Sequence, residues 1–187
     1  MPSIEKIRKA LLGNNIDSDK INQLLGDDMN TKDINAIADS IRRLEKAFTH
    51  DETVDILSNC ACCIGGQRNK DCRQFAKVNK DKALSEKVNL LSTVKWMGNP
   101  VLYTDGTIYT GIYGKENDIY KCPCWCLKGK LPNEPMSLTY CACCAGHFRY
   151  HYQNALGVKL KIKEIVSSAL NSVGEKPCEF IYEIIED

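Results

Sequence analysis

The sequence predicts an α+β fold, with N-terminal helices followed by a mainly antiparallel sheet against which helices pack. Apolar residues recur at helical spacing through the first quarter of the chain and again before residue 96 and after residue 139. Two other stretches, near 101–114 and 158–184, are rich in Val, Ile, Thr and Tyr and are broken by turn residues. The order is therefore helices, hairpin, helix, hairpin, which suits strands that return beside their predecessors.

Each element has its own signal. Ile4, Ile7 and Leu11, then Ile21, Leu24 and Leu25, then Ile34, Ile37, Ile41, Leu44 and Phe48 mark three helices. Gly13 with Asn14 and Asn15, and Gly26 with Asp27 and Asp28, are stop signals, and Thr31 is a candidate N-cap for the third. This segment contains no cysteine, so residues 1–50 read as a helical extension or partner-contact arm and residues 51–187 as a Cys-rich α+β domain. Thr49 and Glu52 have capping-box spacing and start a short helix near Asp51. The run IGGQRNKDC reads as a glycine-rich turn that brings Cys72 to the start of another helix, and a further helix is expected from about Asp81 to Trp96.

The pair Asp105-Gly106 sits between two β-rich runs and predicts a hairpin. Lys121 to Pro135, with Pro123, Pro132 and Pro135, reads as a loop. A helix is expected from about Thr139 to Leu156, stopped by Gly157. In VKLKIK the lysines alternate with apolar residues, the pattern of a strand with one wet face, and CEFIYEII is the returning strand, with Cys178, Phe180 and Tyr182 facing inward.

Composition bounds the function. The 187 residues, 43% hydrophobic, suffice for one ordinary domain and a small extension. With 25 basic and 24 acidic residues, bulk charge gives no reason to expect nucleic acid or an anionic membrane as partner. No apolar stretch approaches the roughly 18 residues that span a bilayer, and MPSIEKIRKALLGNN has the pattern of an amphipathic helix rather than a signal peptide. A cytoplasmic location is expected. In that reducing compartment eleven closely spaced cysteines point to metal binding or redox chemistry before structural disulfides.

Nine of these cysteines lie in three clusters. CACC occurs at Cys60, Cys62 and Cys63 and again at Cys141, Cys143 and Cys144, and CPCWC supplies Cys122, Cys124 and Cys126. Cys72 stands apart. Two C-x-x-C pairs supply the four thiolates of a zinc or iron–sulfur cluster site, and spacing alone does not separate these cofactors. Ordering the fifteen-residue loop at 121–135 costs on the order of 15 to 30 kcal/mol of backbone entropy. A structural metal site contributes roughly 10 to 16 kcal/mol, the right scale to fasten it. Redox-active dithiols and inert buried thiols are the alternatives.

His147 and His151, four residues apart, can share the face of Cys144, and His147 joins the candidate ligands. The plainer and preferred reading leaves both histidines as partly exposed polar residues beside Phe148 and Tyr152. Core packing is the better reading of Cys178, and sheet surface or core that of Trp96, Trp125, Tyr103, Tyr109 and Tyr113. Gly65-Gly66 is followed by no Lys-Ser/Thr and is not a phosphate loop.

The stretch GHFRYHYQNALGVKLKIKEIVSSALNSVGEKPCEFIYEI, about a quarter of the chain, resembles the closing part of vinyl reductase-type small-molecule-binding domains and of the aminothiazoline carboxylate hydrolase-like family. Gly174, Cys178 and Phe180 match the turn and the Cys-x-Phe strand of those domains, and the clusters mark a Cys-rich subgroup. The resemblance implies a small-ligand pocket between helices and sheet and a role as sensor or accessory unit, and it transfers no catalytic residue. A thiol- or metal-dependent enzyme and a metal carrier are the competing functions, and nothing in the sequence fixes the oligomeric state. The two CACC copies and the CPCWC loop are expected to meet in space.

Overall fold

A computed structural model describes residues 3–26, 33–124 and 134–185. Asp27, Asp28, Thr31, Trp125, Cys126 and Pro132 lie outside these residues. The fold is α+β. The described helices are α1 (Ile4–Gly13), α2 (Ser18–Leu25), α3 (Ile34–Ala47), α4 (His50–Ser58), α5 (Gly66–Val78), α6 (Leu84–Ser92) and α7 (Ala142–Leu156). The strands are β1 (Val101–Leu102), β2 (Ile108–Ile112), β3 (Lys115–Glu116), β4 (Ile119–Tyr120), β5 (Lys159–Ser167) and β6 (Cys178–Ile185).

The local signals act as their chemistry requires. Ser3, Asp17 and Asp33 cap the first three helices through side-chain oxygens, so α3 takes its cap from Asp33. The Thr49–Glu52 capping box starts α4 with both of its reciprocal bonds. Gly106, at φ +81°, closes the β1–β2 turn, and Gly157, at φ +73°, ends α7 in the left-handed conformation. Three bounds differ from expectation. The helix expected over 81–96 is confined to Leu84–Ser92 and gives way to turns. Cys72 lies in the middle of α5, because the chain turns into that helix already at Gly66. A 3-10 turn over Leu138–Cys141 precedes α7.

The main sheet is antiparallel throughout, in the order β1-β2-β6-β5, so β6 lies between two strands that do not touch each other. Its register sets Ile112 opposite Cys178, Thr110 opposite Phe180 and Ile108 opposite Tyr182. Lys159, Lys161 and Lys163 lie on the wet face of β5, and Leu160 and Ile162 are buried. A second, two-stranded sheet joins β3 to β4 through Asn117 and Asp118, both at positive φ. Such short, exposed strands leave little pattern in a sequence.

Helix α7 runs through the middle of the molecule. Its sheet-facing side stacks Phe148 on Tyr152 at 5.7 Å and sets Tyr152 edge-on to Tyr182 at 5.9 Å. Its other side meets α4 and α5. The Tyr182 hydroxyl donates to the Ala145 carbonyl at 2.9 Å and fixes β6 against the helix. Gly146 marks the closest crossing: an added Cβ would lie 2.2 Å from the Ser58 carbonyl oxygen at the end of α4. Arg149 closes the same crossing by donating to the Ser58 hydroxyl and the Asn59 side chain. The N-terminal helices join the same core through Ile4, Ile7, Leu11, Ile37, Ile41 and Leu44. Among the described residues no helix is long and apolar enough to cross a membrane.

Candidate functional site

The clusters occupy facing ends of chain elements. The first CACC follows the last turn of α4: the Cys60 amide still bonds to Leu57, and its thiol donates to the Ile56 carbonyl at 3.4 Å. The chain then turns through Cys63 at φ +58°. The second CACC spans the 3-10 turn and the first turn of α7, where no side chain caps the free amides. Cys122 and Cys124 continue from the β4 end and are buried. All ten described cysteines are free thiols, and only Cys63 among them is exposed.

Cys143 is the meeting point. It lies within electrostatic range of Cys60 and Cys62 from the first cluster and of Cys124 from the CPCWC run. A hydrogen bond from its neighbour Cys144 holds the Cys143 thiol below the usual range, and its place in the first turn of α7 favours negative charge on the sulfur. Around it Cys60, Cys122 and Cys141 are held as thiols. Burial, with Cys143 adding to it, pushes Cys60 up to about 12. A hydrogen bond with Cys124 and then burial raise Cys122, and the bond to Cys178 and then burial raise Cys141.

Tyr140 stands among Cys122, Cys124, Cys141 and Cys143, with its hydroxyl buried and without a hydrogen-bond partner among the described residues. A neutral thiol is a weak acceptor, whereas a thiolate, free or metal-bound, would satisfy such a donor. This orphaned hydroxyl and the all-sulfur donor set fit a soft or borderline metal. Among the described residues, no three His, Cys, Asp or Glu side chains are grouped as a ready-made ion site. The thiols are neighbours and not a closed shell.

Cys178 is a core residue on the inward face of β6, as expected, but it also hydrogen-bonds Cys141 and accepts from the Ala169 amide at 3.5 Å. It therefore touches the edge of the cluster. Cys72 is placed elsewhere. Its sulfur lies 3.5 Å from His151 Nδ1 at the α5–α7 contact, and burial followed by Asp71 pushes it up to about 11.

The two histidines are not the partly exposed residues expected from the sequence. His151 is fully buried and His147 is 9% exposed, because α7 is covered on both sides. His147 Nδ1 lies 2.7 Å from the Cys62 carbonyl oxygen and His151 Nε2 lies 3.0 Å from that of Cys63. Burial, reinforced by His147, depresses His151 to about 4, and burial lowers His147 as well. One signal for this was present: ACCAGHFRYHYQNAL has a single charged residue, Arg149, and a helix without a charged face is a buried one.

Tyr103 and Tyr113 are 46% and 42% exposed and belong to the sheet surface. A depression of about 50 Å³ lies among Asp51, Val54, Asp55, Arg149, Lys161 and Ile162. That is well below the roughly 300 Å³ at which small-molecule pockets begin. A scan against protein-family models finds no match, and searches of curated proteins and of solved structures likewise return none.

Proposed function

We propose that this chain is a metal–thiolate protein whose zinc or iron–sulfur centre is assembled at the N-terminal end of α7. The supporting observation is the position of Cys143, within electrostatic range of thiols from both other clusters. Cys60, Cys62, Cys124 and Cys143 would hold the metal, with Cys122, Cys141 and Cys144 beside them, and the Tyr140 hydroxyl would donate to a bound sulfur. When bound, the metal supplies a cross-link between α4, the CPCWC run and α7. Ten free thiols in the described residues suit a reducing compartment, the cytoplasm in this reading. The chain then acts as a sensor or accessory module of a small-molecule-binding fold.

The test is elemental analysis with an absorption spectrum on protein purified without oxygen. One metal per chain and an empty visible region identify zinc, and a brown sample with iron and sulfide identifies a cluster. Protein that stays metal-free after incubation with zinc and with iron and sulfide, with all thiols titratable, overturns the reading. Cys143→Ala should abolish the bound metal.

A further inference from the structure

The contact between α5 and α7 holds an arrangement that the metal reading does not use. Cys72 Sγ and His151 Nδ1 are 3.5 Å apart and buried. On its other side His151 presents Nε2 to the Cys63 carbonyl oxygen at 3.0 Å. A carbonyl only accepts, so Nε2 bears the ring proton, Nδ1 bears the lone pair, and the Cys72 thiol is the donor. A thiol aimed at a base, with the base oriented by a third group, is the arrangement of general-base activation, in which the thiol stays protonated at rest and gives up its proton as it attacks.

Two further features surround this pair. Arg68, four residues before Cys72 on α5, is exposed, and its guanidinium lies over the Trp96 ring at 5.1 Å. Trp96 in turn sets its ring edge-on to His151 at 5.2 Å. Asn69, three residues before Cys72, holds a buried Oδ1 with no hydrogen-bond partner among the described residues. A cation at the solvent side and an orphaned amide one turn from the sulfur are superfluous if the thiol merely satisfies a buried imidazole.

We propose that Cys72 is a nucleophilic thiol served by His151, in a small site where Arg68 selects electrophiles that carry negative charge, acyl thioesters with an anionic group being the substrate class. The sulfur forms a bond to the acyl carbon as the carbon–sulfur bond to the leaving group breaks. The thiol proton passes to His151 Nδ1 and from there to the departing thiolate, so the step needs no oxidant or reductant. The exposed turn that supplies the orienting carbonyl, where Cys63 and Gly66 both have positive φ and Gly65 and Gly66 have open space around them, is where a substrate would have to enter to reach the buried pair. Its reacting groups, Cys72 and His151, are not among the thiols proposed to hold metal, although the orienting Cys63 carbonyl follows the proposed ligand Cys62 in the chain.

The experiment compares iodoacetate with iodoacetamide on the reduced full chain, reading each cysteine by peptide mass mapping. Both reagents lose iodide to the same sulfur attack and differ in charge. At the exposed Cys63 the neutral reagent should react faster, since a thiolate repels an anion. At Cys72 the ratio of iodoacetate to iodoacetamide rates should be at least about fivefold higher than at Cys63, and Arg68→Gln should bring it down to the Cys63 value. His151→Gln should slow Cys72 with both reagents by about 100-fold. Arg68 is exposed, so its variant decides the matter even where His151→Gln fails to fold. The proposal is overturned by a Cys72 that stays unlabelled while Cys63 reacts, by equal ratios at the two positions, or by a ratio that Arg68→Gln leaves unchanged. Metal content measured on the same samples tests the Cys143 reading independently.

Discussion

Replacing Gly146 with alanine should loosen the crossing of α4 and α7. The added Cβ would sit 2.2 Å from the Ser58 oxygen, 2.8 Å from its carbonyl carbon and 2.9 Å from its Cα, against ordinary contacts of 3.4 to 4 Å. The nearest neighbours are backbone, so no side chain can rotate away and one helix end must back off by about 1 Å. Overpacking of this kind costs roughly 3 kcal/mol, and the better helix propensity of alanine offsets about 1 kcal/mol, leaving a net loss of about 2 kcal/mol. In a chain of this length that lowers Tm by about 4 to 8 °C. Thermal unfolding followed by circular dichroism measures it. Gly114→Ala is the control, since nothing lies within 4 Å of the new methyl there and its φ is ordinary. The control should be neutral or slightly stabilising. A Gly146→Ala protein that melts with the parent, or no lower than the control, would refute the close crossing. Because Cys60 and Cys143 flank this crossing, the same variant should also bind the proposed metal more weakly.

Three other outcomes follow from the buried groups. The depressed His151, at about 4 against about 6.5 when unfolded, favours folding above pH 6.5 and loses that contribution as pH falls towards 4; the loss is about 3 kcal/mol at most, so urea midpoints should drop between pH 6.5 and 4, and His151→Gln should flatten the drop. The raised thiols Cys60 and Cys72 act at the other end, stabilising below pH 9 and ceasing to do so as pH climbs through 11 to 12, so alkaline unfolding should begin above pH 9. Cys178→Val should cost about 1 to 2 kcal/mol in denaturant unfolding yet keep any metal, because Cys178 bonds Cys141 at the edge of the cluster; a variant without metal would place β6 among the ligands.

Much of the fold was legible because its signals are local. The apolar spacing of Ile4, Ile7 and Leu11, the Thr49–Glu52 box, Asp105-Gly106 and Gly157 each act within a few residues, and each does in the structure what its chemistry implies. The site was legible only in outline. The repetition of the clusters suggests that they approach one another, but which thiols become neighbours depends on where strands and helices dock. Cys178 bonds Cys141 from a strand far along the chain, a fact of tertiary order with no local trace. Cys72 parts from the other thiols because α5 begins six residues before it, which turns its sulfur towards His151.

The position of β6 has a consequence for synthesis. Strands β2 and β5 bond to β6 and not to each other, and β6 is made of residues 178–185, translated after all the other described elements. Until those residues leave the ribosome the hairpin and β5 have no partner, and α7 has no finished surface on which to rest. Cys60, Cys122, Cys124, Cys141 and Cys143 then emerge well before the core that buries them can close. This interval, seconds long at ordinary translation rates, is when a metal ion can reach these sulfurs most freely and also when an oxidant can, so the redox state of the compartment during translation decides which arrives first.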